Sequence, residues 1–166
     1  MNNKPLYIYI ILPFLIGFFF MQFLFNQNLN YQWKTSSQFE QISYSSKYYI
    51  LVVYNGKDKN YQTLFNNVFN NYKLKQLLET KYQLVKVDVF KTPSITINYQ
   101  QIPTPYLLFT SNNQMVPIKI IVLNKQKQFL TEIPTNLPTS FIYKILDFIP
   151  QEQSYQNLTN YLMRNI

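Results

Sequence analysis

The side chains that most often perform catalysis are scarce in this sequence. It contains no Cys and no His, which excludes thiol chemistry, disulfides, Cys/His zinc sites and a Ser-His-Asp triad. Its two glycines are too few for a phosphate-binding loop, in which several glycines let the backbone approach the phosphate. Seven carboxylates remain, and none forms a pair at helical spacing: Glu40, Asp58, Glu79, Asp88, Glu132, Asp147 and Glu152. The sequence therefore predicts no catalytic residue, no bound metal and no cofactor.

The basic residues give a formal net charge of +8, and all but Arg164 are lysines. Nucleic acid is not the predicted partner, because the aromatic residues fall at core positions of predicted strands and helices and no arginine cluster exists. Lys57 and Lys59 flank a predicted turn and could bind an anion or a phospholipid head group. The alternative is a solvated turn, which is typical of lysines. Asp88 at a strand end is interpreted as a carboxylate satisfied by nearby backbone N–H groups or lysine.

A membrane anchor is predicted within residues 1–25. The 21 residues from Pro5 to Phe25 carry no charge, and a helix of about 20 residues spans the hydrocarbon core of a bilayer. A cleaved signal peptide is disfavoured because no small-residue cleavage site follows the apolar run. Lys4 and the N-terminal amine favour an N-terminus on the inner side, with the rest of the chain outside.

Residues 26–46 are polar and rich in Gln, Ser and Asn, which predicts a linker or a strap over a partner. A few large side chains in it could dock on a folded surface: Tyr31, Trp33, Phe39 and Ile42. The alternative is a loosely ordered polypeptide.

From residue 47 the pattern becomes that of a folded α/β domain. Apolar, β-branched and aromatic runs predict strands at residues 48–54, 82–90, 106–110 and 116–123. Apolar residues at helical spacing predict helices over residues 64–72, 74–78 and 141–149. Residues 94–101 are predicted to be a connector, and Pro117 should place its strand at an edge or delay its start. The expected architecture is a four-stranded mixed sheet with helices on both faces.

This element order resembles a thioredoxin-like fold. The resemblance rests on Ile50 to Tyr54, on Leu84 to Asp88 and on Ile102 to Phe109. The last segment is similar to the family segment in which a cis-proline follows Thr or Ile and opens a strand, which would make Pro105 the cis-proline. The resemblance covers a domain of residues 47–150 and leaves residues 151–166 as a C-terminal tail.

The family's redox motif is absent. Active members carry a C-x-x-C at the start of the first helix, where a lowered thiol pKa supports disulfide exchange. The positions that correspond to it are occupied by Asp58, Lys59, Asn60 and Tyr61. The resemblance therefore implies a degenerate member that keeps the scaffold and is not an enzyme. These four residues would form a vestigial active-site loop.

The predicted function is that of a non-catalytic accessory subunit of a respiratory-chain complex in the mitochondrial inner membrane. By analogy with other basic, single-pass subunits, its domain would lie in the intermembrane space. The expected partners are other subunits of that complex and the bilayer, including anionic lipids. The alternative is a client-binding protein of the endoplasmic reticulum membrane without disulfide exchange, for which a sequon at Asn157 would matter.

Overall fold

A strand of seven apolar residues forms the centre of the fold. The computed structural model of the chain describes residues 31–110 and 112–151. Its strands are β1 (Trp33–Thr35), β2 (Tyr48–Tyr54), β3 (Tyr82–Asp88), β4 (Ser94–Ile97), β5 (Gln100–Pro103), β6 (Ile118–Leu123) and β7 (Phe129–Ile133). Its helices are α1 (Ser36–Gln41), α2 (Asn60–Phe69), α3 (Tyr72–Lys81) and α4 (Thr139–Phe148), with 3-10 turns at Thr104–Leu108 and Ile149–Gln151.

The main sheet has five strands in the order β1-β3-β2-β6-β7. β2 lies between β3, which runs parallel to it, and β6, which runs antiparallel. A continuous apolar run suits this position, because both faces of an interior strand are covered. The predicted mixed sheet is confirmed, but the expected count of four strands is wrong. β1 and β7 form its two edges without having been predicted, and the strand predicted at 106–110 is not part of it.

Two hydrophobic clusters cover the two faces of the sheet. The first lies under α2, α3 and α4, where Phe69, Leu78 and Ile142 meet the even-numbered residues of β2 and β3. The second lies under α1, the β4–β5 hairpin and the 3-10 turn, where Phe39 and Leu108 meet the odd-numbered residues. Helices therefore flank both faces, as predicted.

The polar segment predicted as a linker over residues 26–46 is, from Tyr31 onward, part of the domain. Residues 33–35 form β1, and Thr35 is also the N-cap of α1. In its capping box the Thr35 hydroxyl accepts from the Gln38 amide, and the Gln38 side chain accepts from the Thr35 amide. Phe39 then enters the core. The composition was misleading because short, polar elements are stabilised by a few buried aromatic contacts.

The segment of residues 94–110 also differs from its prediction. The expected connector is the β4–β5 hairpin, whose turn residues Asn98 and Tyr99 have φ angles of 53° and 62°, as hairpin turns require. The expected strand at 106–110 is instead the 3-10 turn of residues 104–108. Thr104 holds this turn in place, because its amide donates to the Pro93 carbonyl and its hydroxyl to the Thr92 carbonyl.

Pro105 is not a cis-proline, because the described residues contain no cis peptide bond. It lies in the first positions of the 3-10 turn, where the fixed φ of proline suits the helical backbone. The proline that directly precedes a strand of the main sheet is Pro117, and β6 begins after it at Ile118. That start agrees with the expectation that Pro117 would delay its strand.

The hairpin of the main sheet is formed by β6 and β7. β7 was not predicted, because Phe129 to Ile133 alternates weakly and only Ile133 is buried. The predicted anchor and most of the predicted tail, residues 152–166, lie outside the described residues. Within the described ranges, none of the helices has the length and apolar character needed to cross a membrane.

Candidate functional site

The junction between β2 and α2 carries the four residues expected to form a vestigial active-site loop. Asp58 lies in the turn, where its amide donates to the Asn55 carbonyl at 3.0 Å. The Asp58 carboxylate accepts from the amide of Asn60, the first residue of α2, at 2.8 Å. This bond satisfies one of the N–H groups that every helix start leaves without a partner. Asp58, which lies one residue before the N-cap position Lys59, therefore has a structural role at the start of α2, while Lys59 and Asn60 are exposed.

Tyr61 stacks on Tyr54, the last residue of β2. The ring centroids are 4.7 Å apart and the planes are inclined by 21°, an offset-stacked geometry that is favourable for aromatic pairs. Burial raises the pKa of Tyr54 above its ordinary value, and the nearby charge of Asp88 raises it further. The Tyr54 ring therefore stays neutral, and the stacked pair supports the packing of α2 on the sheet.

Gly56 lies in the junction where a larger residue would have no room. A Cβ atom added to Gly56 would lie 2.6 Å from Oδ2 of Asp88. Asp88 cannot easily retreat, because it is only 9% exposed and its Oδ1 accepts from the Phe90 amide at 3.1 Å. Lys91 approaches Oδ2 at 3.9 Å. Asp88 is thus satisfied by a backbone N–H and a lysine, as predicted.

We expect Gly56→Ala to lower the free energy of unfolding by about 1–3 kcal/mol, because the new methyl group overpacks the contact with Asp88. Urea unfolding measures the change. The matched background is Asp88→Ala, which removes the carboxylate.

In the Asp88→Ala background the same Gly56→Ala change should be neutral, or stabilising by about 0.4–1 kcal/mol through the unfolded state. Gly56 does not have a positive φ, so no backbone strain should remain. An equal loss in both backgrounds would contradict the steric explanation.

We call the end of the sheet at which β2 and β3 finish and β6 begins the upper end. It carries the junction and a cleft of about 400 Å³. The cleft is bordered by Val116, Pro117, Lys119 and Glu132. The Asn55 amide donates to the Pro117 carbonyl at 3.0 Å and joins the cleft to the junction.

Lys119 is a buried residue that lines this cleft. Its ammonium donates to the Phe109 carbonyl at 2.6 Å and to the Glu132 carboxylate at 2.9 Å. The Lys119 side chain is 8% exposed, whereas that of Glu132 is 45% exposed. These bonds hold β6, β7 and the preceding segment together, so the pair is structural and was not indicated by the sequence.

Large apolar side chains are exposed at the same upper end. Phe90 lies two residues after the end of β3 and is 54% exposed, with Lys57 Nζ 4.1 Å from its ring centroid. Phe109 and Met115 are joined by a β-bridge shortly before β6 and are 38% and 50% exposed. Sequence reasoning placed Phe90 and Phe109 in strands and missed this surface, because their exposure depends on where β3 ends and β6 begins.

Lys86 is another amine in a distinctive setting. Its Nζ lies 4.9 Å from the Trp33 ring centroid and 4.7 Å from that of Phe65, and burial lowers its pKa. The two rings compensate the partly desolvated ammonium by cation–π attraction. The sequence did not single out Lys86, because Trp33 and Phe65 are brought to it by β1 and α2.

The described residues assemble no catalytic constellation of the usual kinds. Within residues 31–110 and 112–151, no three carboxylates group to hold a metal ion. Asp58, Asp88 and Glu132 each bind a neighbouring backbone or lysine group. The upper end instead presents exposed apolar side chains and the lysine beside Phe90.

Comparison with known proteins identifies the fold. No family model matches the chain, and no curated protein matches it. Among solved structures, a thioredoxin-fold protein from Helicobacter pylori is similar, with a TM-score of 0.54 and 17% identity. The match covers 74% of this chain and 84% of that chain. The domain thus has a thioredoxin-like fold, and at this identity the likeness extends to the fold alone.

Proposed function

We propose that this chain is a non-catalytic accessory subunit of a membrane protein complex, in which a redox-inactive thioredoxin-like domain binds other subunits. One observation carries the proposal. The junction that would hold a C-x-x-C has Asp58 and Tyr61 in structural roles: Asp58 accepts from the first amide of α2, and Tyr61 stacks on Tyr54. Since the whole sequence lacks Cys, no other residue could supply the thiol.

The exposed apolar surface at the upper end supports a role in protein binding. Apolar residues exposed together at one end of a small domain are typical of interaction sites. Phe90, Phe109 and Met115 are exposed at the upper end, and Phe90 contacts Lys57 of the junction. Lys57 adds a positive charge beside Phe90, which favours a partner with acidic residues near an apolar contact.

The membrane placement comes from residues 5–25, whose length and lack of charge favour a single transmembrane helix. We propose the mitochondrial inner membrane as its location and a respiratory-chain complex as the assembly, by analogy with basic single-pass subunits. The soluble domain would then face the intermembrane space.

The proposal is tested by purifying the full chain from its source membranes in mild detergent and identifying co-migrating proteins by mass spectrometry. We expect it to migrate with a large complex of the mitochondrial inner membrane. Migration as a monomer would overturn the proposal. Recovery in endoplasmic reticulum membranes with a glycan on Asn157 would favour a client-binding protein instead, and reduction of a disulfide substrate by the purified chain would contradict a non-enzymatic role.

A surface variant tests the upper end directly. Phe90→Ser combined with Phe109→Ser and Met115→Ser should reduce co-purifying subunits by at least about tenfold, as expected when central apolar contacts of an interface are lost. The matched control is Tyr44→Ser with Phe129→Ser, which alters exposed aromatics at the opposite end of the sheet. An equal loss in both variants would show that the upper end is not the interface.

A further inference from the structure

The two ends of the main sheet differ in their charged groups. Tyr48 is paired with Tyr82, and Tyr49 with Leu123, so β2 and β3 begin where β6 finishes. This lower end lies opposite to the junction and the cleft. The segments that meet there are the residues before β2, the residue before β3 and the turn between β6 and β7.

Each of these segments contributes lysine. Lys47 directly precedes β2, Lys81 directly precedes β3, and Lys125 and Lys127 lie in the β6–β7 turn. We call these four residues the basic edge. Their proximity follows from the strand register and is not visible in the sequence, where they are widely separated.

The hydrogen bonds of Lys47 and Lys127 leave the charge of these two lysines in place. The Lys47 ammonium donates to the Glu79 carbonyl at 2.6 Å, and the Lys127 ammonium donates to the Phe39 carbonyl at 2.8 Å. Carbonyl groups accept these bonds without neutralising the ammonium. Lys81 is exposed to solvent.

Carboxylates near the basic edge compensate it only in part. The Glu79 carboxylate is paired with Lys75 at 2.7 Å, within α3. The Glu40 carboxylate accepts from the Thr96 amide at 2.6 Å and acts on Lys127 through space. Asp147, in the last turn of α4, also lies at this end, because its charge acts on Tyr82. Among the described residues, the four lysines of the basic edge together with Lys75 still outnumber these three carboxylates, so positive charge remains in excess at this end of the sheet.

Both ends of the described domain lie at this lower end. The chain enters through Tyr31 and β1, which runs parallel to β3 with Trp33 opposite Leu84, so it approaches from the end at which β3 begins. The last turn of α4 lies there too, because the Tyr82 hydroxyl donates to the Leu146 carbonyl. A membrane anchor preceding Tyr31 would bring the basic edge toward the bilayer.

We propose that the basic edge docks on the anionic lipid head groups of the membrane to which the chain is anchored. Lysines held next to a membrane gain from its negative surface potential, and the gain falls off within a Debye length. This inference rests on the proposed anchor and adds an orientation to it. The upper end, with its exposed apolar side chains, faces away from the lipid and stays accessible to a protein partner.

The test places the full chain in lipid nanodiscs of phosphatidylcholine alone or of phosphatidylcholine mixed with phosphatidylglycerol. Amine acetylation is followed residue by residue with mass spectrometry. We expect Lys81 and Lys125 to react about tenfold more slowly on the anionic lipid, with the protection lost at high salt. Lys57, Lys59 and Lys91 at the upper end are internal controls and should react equally on both lipids.

Charge reversal gives a matched pair of variants. Lys81→Glu with Lys125→Glu should abolish the lipid-dependent protection at Lys47, whereas Lys57→Glu with Lys59→Glu makes the same charge change at the upper end and should preserve it. Equal acetylation of the basic edge on both lipids would overturn the proposal. So would protection by an RNA oligonucleotide but not by anionic lipid, which would point to nucleic acid.

Failure of the anchor and failure of the docking give different results. Flotation with neutral vesicles that resists alkaline carbonate, without any anionic protection of the lysines, would retain the anchor and overturn the docking. Binding to anionic vesicles alone, reversed by salt, would support the basic edge and contradict the anchor.

Discussion

Replacing Phe39 by alanine is expected to lower the free energy of unfolding by about 3–5 kcal/mol, as is typical of a buried phenylalanine. Phe39 is 0% exposed on α1, and its ring lies edge to face with Tyr49 at a centroid distance of 5.1 Å. The bond from Lys127 to the Phe39 carbonyl involves the backbone and can persist in the variant. The loss should therefore measure the contribution of the ring.

Urea unfolding followed by the fluorescence of Trp33, the single tryptophan, measures this change. Gln41→Ala is the matched control, because Gln41 is exposed on the same helix and such changes usually stay within about 0.5 kcal/mol. If both variants unfolded alike, α1 would not belong to the cooperative domain, and residues 31–46 would behave as the linker that their composition suggests.

Phe69→Ala should produce a loss of similar size, about 3–5 kcal/mol. Phe69 ends α2 and is 3% exposed. Its ring lies 5.2 Å from that of Trp33 and 4.7 Å from that of Phe65, and its carbonyl accepts from the Tyr31 hydroxyl at 2.6 Å. Truncation would open a cavity beneath α2 and loosen the contact between β1 and this helix.

Far-UV circular dichroism should follow the Phe69→Ala unfolding, because Trp33 touches the altered site and its fluorescence could change in the folded state. Phe129→Ala is the control, since Phe129 is 44% exposed on β7. A Phe69→Ala loss below about 1 kcal/mol would show that the aromatic contacts under α2 contribute little.

The elements predicted correctly are those whose pattern is set by burial along a continuous stretch. Tyr48 to Tyr54 is apolar throughout because β2 is covered on both faces. The spacing of Val68, Phe69 and Leu78 marks helices whose apolar faces lie on the sheet. In these elements the local pattern and the tertiary position agree, so the sequence is sufficient to predict them.

The elements that were missed or mistaken have short or ambiguous patterns. An apolar run such as Tyr106 to Phe109 suits a strand or a tight helical turn equally well. The hydrogen bonds of Thr104 to Thr92 and Pro93 favour the turn, and those partners are known only once the β4–β5 hairpin is placed. Trp33 and Phe39 lie in a polar segment, and their burial depends on the sheet and hairpin that receive them.

Some features of the candidate site could also be expected from the sequence, and others required the tertiary structure. The resemblance to the thioredoxin-like family implied that Asp58 and Tyr61 stand at the positions of the redox motif, close to the start of α2. The contact between Gly56 and Asp88 and the gathering of exposed apolar side chains at the upper end required the register of β2 with β3 and β6.

By itself, the sequence determined that no thiol or imidazole chemistry is available, because the required side chains are absent, and that a buried strand with an adjacent amphipathic helix forms the core. Only the tertiary structure decided which residues share an end of the sheet. Strand pairing brings Lys47, Lys81 and Lys125 to the lower end of the sheet and Phe90 and Phe109 to the upper end. Such pairing joins distant parts of the chain, so it cannot be inferred from local composition.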